Sequence, residues 1–123
     1  MTYTESKEDY LERILMLKEE MPHVRAIDIV NSMGFSKPSV SIAIKKLKDL
    51  NLITIEPRTN YIDLTVEGEK IAANVYRRHK VISKLLIHLG VDEKIALEDA
   101  CKIEHDISPE TFSQLEKAYN EIS

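Results

Sequence analysis

The stretch FSKPSVSIAIKKLKDLNLI (residues 35–53) has the signature of a capped helix running into a strand. Ser36 is a good N-cap, and Pro38 sits in the first turn, where its missing N–H costs nothing. Val40, Ile44 and Leu47 then recur at helical spacing to about Leu50. Just upstream, Arg25 to Met33 carries Ile27, Val30 and Met33 as a short helix that Gly34 ends. Helix, glycine turn and capped helix make a helix-turn-helix. Downstream, Leu52–Ile55 and Tyr61–Leu64 are short β-branched runs around a turn at Pro57–Asn60. Further upstream, Ser6 to Glu20 reads as a helix with Tyr10, Leu11, Ile14, Leu15 and Leu17 at helical spacing. Ser6 is its expected cap, and Met21-Pro22 its stop.

The remainder is helical. Thr65 can cap a long helix holding Ile71, Val75, Val81, Ile82, Leu85, Leu86 and Leu89, which stops at Gly90. Asp92 opens a helix from Glu93 to about His105, and Ser108-Pro109 starts a last one ending near Ile122. The expected fold is mainly α: an N-terminal winged helix-turn-helix of three helices plus a two-strand wing, followed by an all-helical dimerisation domain. The boundaries are 1–65 for the DNA-binding domain and 66–123 for the helical metal-binding and dimerisation domain. The second part is small for an independent core, so pairing with a second copy is expected to complete it.

Bulk properties narrow the function. Of 123 residues, 43% are apolar and 31% charged, the balance of a globular chain rather than a disordered one. No run approaches the length of a membrane span. The N-terminal MTYTESKEDY lacks the basic start and apolar core of a signal peptide. Cys101 is the single cysteine, so no internal disulfide is possible and a reducing cytoplasm is the expected location. Net charge is −4, yet Arg25 to Asn60 holds Arg25, Lys37, Lys45, Lys46, Lys48 and Arg58 against only Asp28, Asp49 and Glu56. One net-positive segment on an acidic chain is an electrostatic footprint for phosphate.

That footprint coincides with the helix-turn-helix. The second helix enters the major groove N-terminus first. Its exposed start offers Ser36, Lys37, Pro38, Ser39 and Ser41, small or cationic groups that let the helix end approach bases and phosphates. Lys45 and Lys46 lie further along, Arg25 precedes the first helix of the pair, and Arg58 stands at the wing tip. The plainer alternative is a solvated lysine-bearing helix in a protein-interaction module.

Three groups of side chains suit a metal. Asp9 and Glu12 share one side of the first helix at i and i+3. Cys101, Glu104 and His105 share one face at i, i+3 and i+4. His79 lies inside the long helix among apolar neighbours. Thiolate, imidazole and carboxylate together favour a divalent first-row transition metal over Ca²⁺ or Mg²⁺. Spacing does not join the three groups, and each has an ordinary structural alternative.

Taken together, EDYLERI (8–14), SKPSVSIAIKKL (36–47), YRRH (76–79), LGVDEKIALEDACKIEH (89–105) and SPETFSQLEKA (108–118) resemble the diphtheria toxin repressor and manganese transport regulator family. The resemblance covers nearly the whole chain. It implies a metal-dependent repressor of metal-uptake genes that binds palindromic double-stranded operator DNA as a homodimer. It implies one ligand set made of Asp9, Glu12, His79, Cys101, Glu104 and His105. The implied cofactor is Mn²⁺ or Fe²⁺, with Zn²⁺, Co²⁺, Ni²⁺ or Cd²⁺ able to substitute in vitro. In the manganese branch the positions of Asp9 and Cys101 carry aspartate and glutamate, and in the iron branch methionine and cysteine. This chain takes one from each. A second site of the iron branch falls on Ser83 and Leu97, which cannot replace its Glu and His. The chain also looks like the short two-domain type, without an SH3-like third domain. No catalytic motif is present, so neither an enzyme nor a small organic substrate is expected. The competing class is a winged-helix regulator that responds to a small ligand or to thiol oxidation at Cys101.

Overall fold

The computed structural model describes residues 3–122, with side chains from Lys7 onward. In order come α1 (Tyr3–Glu20), α2 (Ala26–Met33), α3 (Lys37–Asp49), β1 (Ile53–Ile55), β2 (Ile62–Leu64), α4 (Val66–His88), α5 (Glu93–Asp106) and α6 (Pro109–Ile122). The winged helix-turn-helix is followed by a helical region, the expected class. α1 starts at Tyr3, so Ser6 sits inside the helix rather than capping it, and the Ser6 side chain lies outside the described residues. The chain divides into two compact units, residues 1–73 and 74–123, so the first two turns of α4 belong with the winged unit.

In the first unit, Leu11, Ile14, Val24, Ile29, Val40, Ile44, Leu47, Ile53 and Ile62 form one continuous core. The α3 stripe at 40, 44 and 47 is buried as its spacing requires. Ser36 Oγ accepts the Ser39 N–H at 3.3 Å, which caps α3, and Gly34 ends α2 at φ 74° with its N–H on Val30 O at 2.9 Å. β1 and β2 pair antiparallel, Ile53 opposite Leu64 and Ile55 opposite Ile62. Ile62 N also donates to Val24 O at 2.7 Å, tying the segment before α2 to the wing.

Where the wing meets α4, the backbone contacts are very close. Thr65 Oγ1 donates to Asn51 O at 2.8 Å and accepts the Gly68 N–H at 3.1 Å, capping α4. A Cβ on Gly68 would stand 1.9 Å from Leu52 O, so only glycine lets the helix start lie against that carbonyl.

The second unit is built on Val81, Ile82, Ala100 and Phe112, with Leu85, Leu86, Ile103 and Leu115 around them. Asp92 caps α5 by accepting the Lys94 N–H at 3.2 Å, and Ser108 caps α6 by accepting the Thr111 N–H at 3.1 Å. Large apolar side chains remain outside: Leu89 is 76% exposed and Ile95 51%. Among the described residues, no helix is long and apolar enough to cross a membrane.

Gly68→Ala tests the close approach. Alanine gains roughly 1 kcal/mol of helix propensity, but a 1.9 Å clash with backbone that cannot yield costs about 3 kcal/mol or more. The variant should lose about 2 kcal/mol in urea denaturation. Gly34→Ala, left-handed but in open space, should lose about 1 kcal/mol. Equal losses at both positions would contradict the packing described.

Candidate nucleic-acid interface and metal centre

α3 offers the face a major groove requires. Ser36, Lys37, Pro38, Ser39, Ser41, Lys45, Lys46 and Lys48 are all exposed. Ser36 and Ser39 also join their hydroxyls at 2.9 Å, which closes the first turn. Sequence reasoning passes over Ile42, which is 59% exposed and one turn on from Pro38. The signal was there: Val40, Ile44 and Leu47 define the buried stripe, and Ile42 falls off it. An exposed branched side chain on such a helix offers apolar contact to a thymine methyl.

The wing is stiffened by a carboxylate. Glu56 Oε2 accepts the Thr59 N–H at 2.8 Å, the Thr59 hydroxyl at 2.9 Å and the Arg58 N–H at 3.0 Å. Arg58 itself is exposed at the tip. Arg25 braces the wing from within, since its Nε donates to Thr59 O at 3.0 Å and its guanidinium lies 4.9 Å from the Tyr61 ring centre. His23 stacks on Tyr61 with centroids 4.1 Å apart. Lys18 pairs with Asp63, fixing α1 to β2.

In the second unit, α5 gathers Cys101, Glu104 and His105, and His79 of α4 reaches the same Glu104. Glu104 is 2% exposed. His79 Nδ1 lies 3.2 Å from Glu104 Oε2, and His105 Nε2 lies 3.5 Å from Glu104 Oε1. Cys101, Glu104 and His105 each offer a ligand atom within 4.8 Å of the others. The i, i+3, i+4 spacing on α5 produces that convergence, and His79 of α4 approaches Glu104 at its other carboxylate oxygen. In the first unit, Asp9 is half-buried and Glu12 is 7% exposed, on the same side of α1. A buried carboxylate beside imidazoles and a thiol is a donor set that fits a divalent first-row transition metal. Ser83 donates its hydroxyl back to Lys80 O at 3.1 Å, and Leu97 is exposed and apolar, so those two positions offer no such donors.

With this geometry in place, comparison with known proteins is decisive. Residues 2–60 match the iron dependent repressor N-terminal DNA binding domain, and residues 65–123 match the iron dependent repressor metal binding and dimerisation domain. The chain belongs to the iron-dependent repressor family. This is the diphtheria toxin repressor and manganese transport regulator group that the sequence resembles, and its members are DNA-binding transcriptional regulators, not enzymes. The transcriptional regulator MntR of Escherichia coli O6:H1 is 38% identical over 105 residues, covering 85% of this chain and 67% of that protein. Among solved structures, the metal-dependent transcriptional regulator MtsR aligns with a TM-score of 0.85 at 31% identity, covering 93% of this chain and 53% of the other. ScaR with bound Zn²⁺ aligns at 0.74 and 29% identity, again covering 93% and 53%. The chain thus spans about half the length of these two solved relatives. In this iron-dependent repressor domain pair, α3 and the wing lie in the half matched by the DNA binding domain, and His79, Cys101, Glu104 and His105 lie in the half matched by the metal binding and dimerisation domain.

The wing of this repressor-family fold should respond to acid. The Thr59 hydroxyl, then the Thr59 N–H, hold the Glu56 carboxyl below its ordinary value, with Arg58 N–H adding to them. The folded turn therefore favours the carboxylate, and its contribution is full above the unfolded value and lost as pH falls through the folded one. Amide exchange at Arg58 and Thr59, corrected for intrinsic rates, should speed up on acidification through and below the usual carboxylate range. Glu56→Gln should remove that dependence. A wild-type wing whose corrected exchange ignores pH would contradict the assignment.

Proposed function

We infer that the chain is a metal-dependent transcriptional repressor that binds palindromic operator DNA as a homodimer when Mn²⁺ or Fe²⁺ is bound, and that it represses metal-uptake genes. The observation that carries this reading is the buried Glu104 carboxylate set between the nitrogens of His79 and His105, with Cys101 in reach. Burying an ion costs several kcal/mol unless positive charge compensates it. Such a group is retained for what it binds.

The residues that would hold the ion are His79, Cys101, Glu104 and His105, with Asp9 and Glu12 of α1 completing the set. When bound, the cation supplies the positive charge that lets these acidic side chains share one site. The protein residues do the rest. Asp9 and Glu12 make α1 a lever, because α1 also packs on α2 and on β2 in the winged unit. Lys37, Lys45, Lys46 and Arg58 meet phosphates, while Ser36, Pro38, Ser39 and Ser41 let the start of α3 approach the bases. In the second unit, exposed Ile87, Leu89, Ile95 and Leu97 supply apolar surface for a second copy. A dimer fixes the spacing between two recognition helices, and half-sites of a palindrome demand one spacing, about 34–36 Å or a multiple. Mn²⁺ and Fe²⁺ are the proposed physiological ions, and Zn²⁺, Co²⁺, Ni²⁺ or Cd²⁺ are proposed as substitutes in vitro. DNA and a second copy of this chain are the proposed partners.

Glu104→Ala and His105→Ala should each remain folded dimers yet lose metal-stimulated operator binding, measured by fluorescence anisotropy with and without Mn²⁺. The stimulation being lost is about 5- to 150-fold, the usual span of such coupling. Undiminished stimulation in both variants would refute the site. Cys101→Glu replaces a soft ligand with a hard one and should shift the ratio of affinities toward Mn²⁺ over Fe²⁺ in anaerobic titrations. An unchanged ratio means that the thiol does not set metal choice.

A further inference from the structure

A helix leaves its last carbonyls without intrahelical partners. At the end of α5 those carbonyls belong to the same turn that carries Glu104 and His105. The chain then reaches Pro109, which has no N–H to offer. Arg78 supplies the missing donor. Its Nη1 lies 3.1 Å from Glu104 O and 3.4 Å from Ile107 O, so one guanidinium nitrogen bridges two carbonyls at the helix terminus. A cation in that position also complements the negative end of the helix dipole. The same guanidinium rests 5.2 Å from the ring centre of Phe112, a core residue of α6 that is 4% exposed. Next to it, Arg77 pairs with Glu116 at 3.0 Å and lies 5.3 Å from the same ring. Arg78 is also the immediate neighbour of His79. α4 therefore delivers two adjacent side chains to one place: an imidazole against the Glu104 carboxylate, and a guanidinium against the Glu104 carbonyl.

We propose that Arg78 is a positioning residue for the metal centre, holding the last turn of α5 so that Glu104 lies between His79 and His105 before any ion arrives. The inference rests on the metal-centre reading given above. Ligands fixed in advance lose less freedom when an ion binds, and outlying hydrogen bonds that orient metal ligands typically change affinity 10- to 100-fold when removed. The arginine is not there to satisfy itself, because its buried Nε has no hydrogen-bond partner among the described residues. A lysine at this position would drop that unsatisfied donor while keeping the charge, so Arg78→Lys should fold. Its ammonium lacks the flat guanidinium face that rests on the Phe112 ring.

The test uses the full chain as wild type, Arg78→Ala and Arg78→Lys. Mn²⁺ affinity is measured by anaerobic calorimetry, and the imidazole nitrogen shifts of His79 and His105 by NMR in the metal-free protein. Arg78→Ala should weaken Mn²⁺ binding about 10- to 100-fold, and Arg78→Lys by a smaller factor. In both, the metal-free imidazole shifts should move, and operator affinity at saturating Mn²⁺ should return close to wild type. A side chain that only supports the fold would lower thermal stability and would leave operator affinity depressed at saturating metal. Should Arg78→Ala fail to fold, Arg78→Lys decides alone: unchanged affinity and unchanged shifts overturn the inference. Wild-type protein that binds no Mn²⁺ would instead overturn the metal-centre reading itself.

Discussion

Burial of the Glu104 carboxylate organises the second unit. Along α5 the buried positions are Ala96, Ala100 and Glu104, spaced four apart on one face. Two large apolar residues of the same helix point elsewhere, Ile95 being 51% exposed and Leu97 42%, while Ile103 packs beside the core. A helix optimised only for packing would do the reverse, placing leucine inside and glutamate outside. The two alanines let α5 come close to its neighbours, and that closeness is what puts an acid in contact with His79 of α4. Local rules broken in this way mark sites kept for function rather than stability. The exposed leucine and isoleucine follow from the same inversion, and they leave apolar surface outside the core of this unit.

Much of the winged unit was legible from residue pattern because it depends on local rules. Ser36, Pro38 and Gly34 set the limits of α2 and α3, and Val40, Ile44 and Leu47 set which face of α3 is buried. Thr65 marked the start of α4 for the same reason. Ser6 misled, since a serine that can cap can also sit within a helical turn, and α1 runs on to Tyr3. The bridge between Val24 and Ile62 could not be read, being a single pairing with no alternating run to announce it. Nor could the approach of Gly68 to Leu52, which exists only once the wing has folded back.

The candidate metal centre divides along the same line. Cys101, Glu104 and His105 were found by helical spacing, a local property. Bringing His79 to them needs α4 and α5 to pack, and no spacing rule encodes that. Glu104 and Arg78 are 26 residues apart in the chain, and the contact runs from a side chain to a backbone carbonyl. Carbonyls are the same at every residue, so such a contact leaves no compositional trace. Family resemblance supplied the ligand set that geometry alone did not.

The charge pattern shows how an acidic chain can present a DNA-facing surface. Positive side chains of the winged unit are not equivalent. Arg25 is committed to the wing, held by Thr59 O and the Tyr61 ring, whereas Arg58 and the α3 lysines project from it. Glu56 adds negative charge close to the wing tip, yet its exposed carboxylate accepts N–H groups of the turn that carries Arg58 and stiffens it. A stiff tip loses less freedom on meeting a phosphate than a loose one would. The acidic remainder repels phosphate, so contact is favoured only where α3 and the wing lead. Screening within about 10 Å at ordinary salt makes that preference local. Local placement of the cations on α3 and the wing, rather than the net charge of −4, gives this surface its sign.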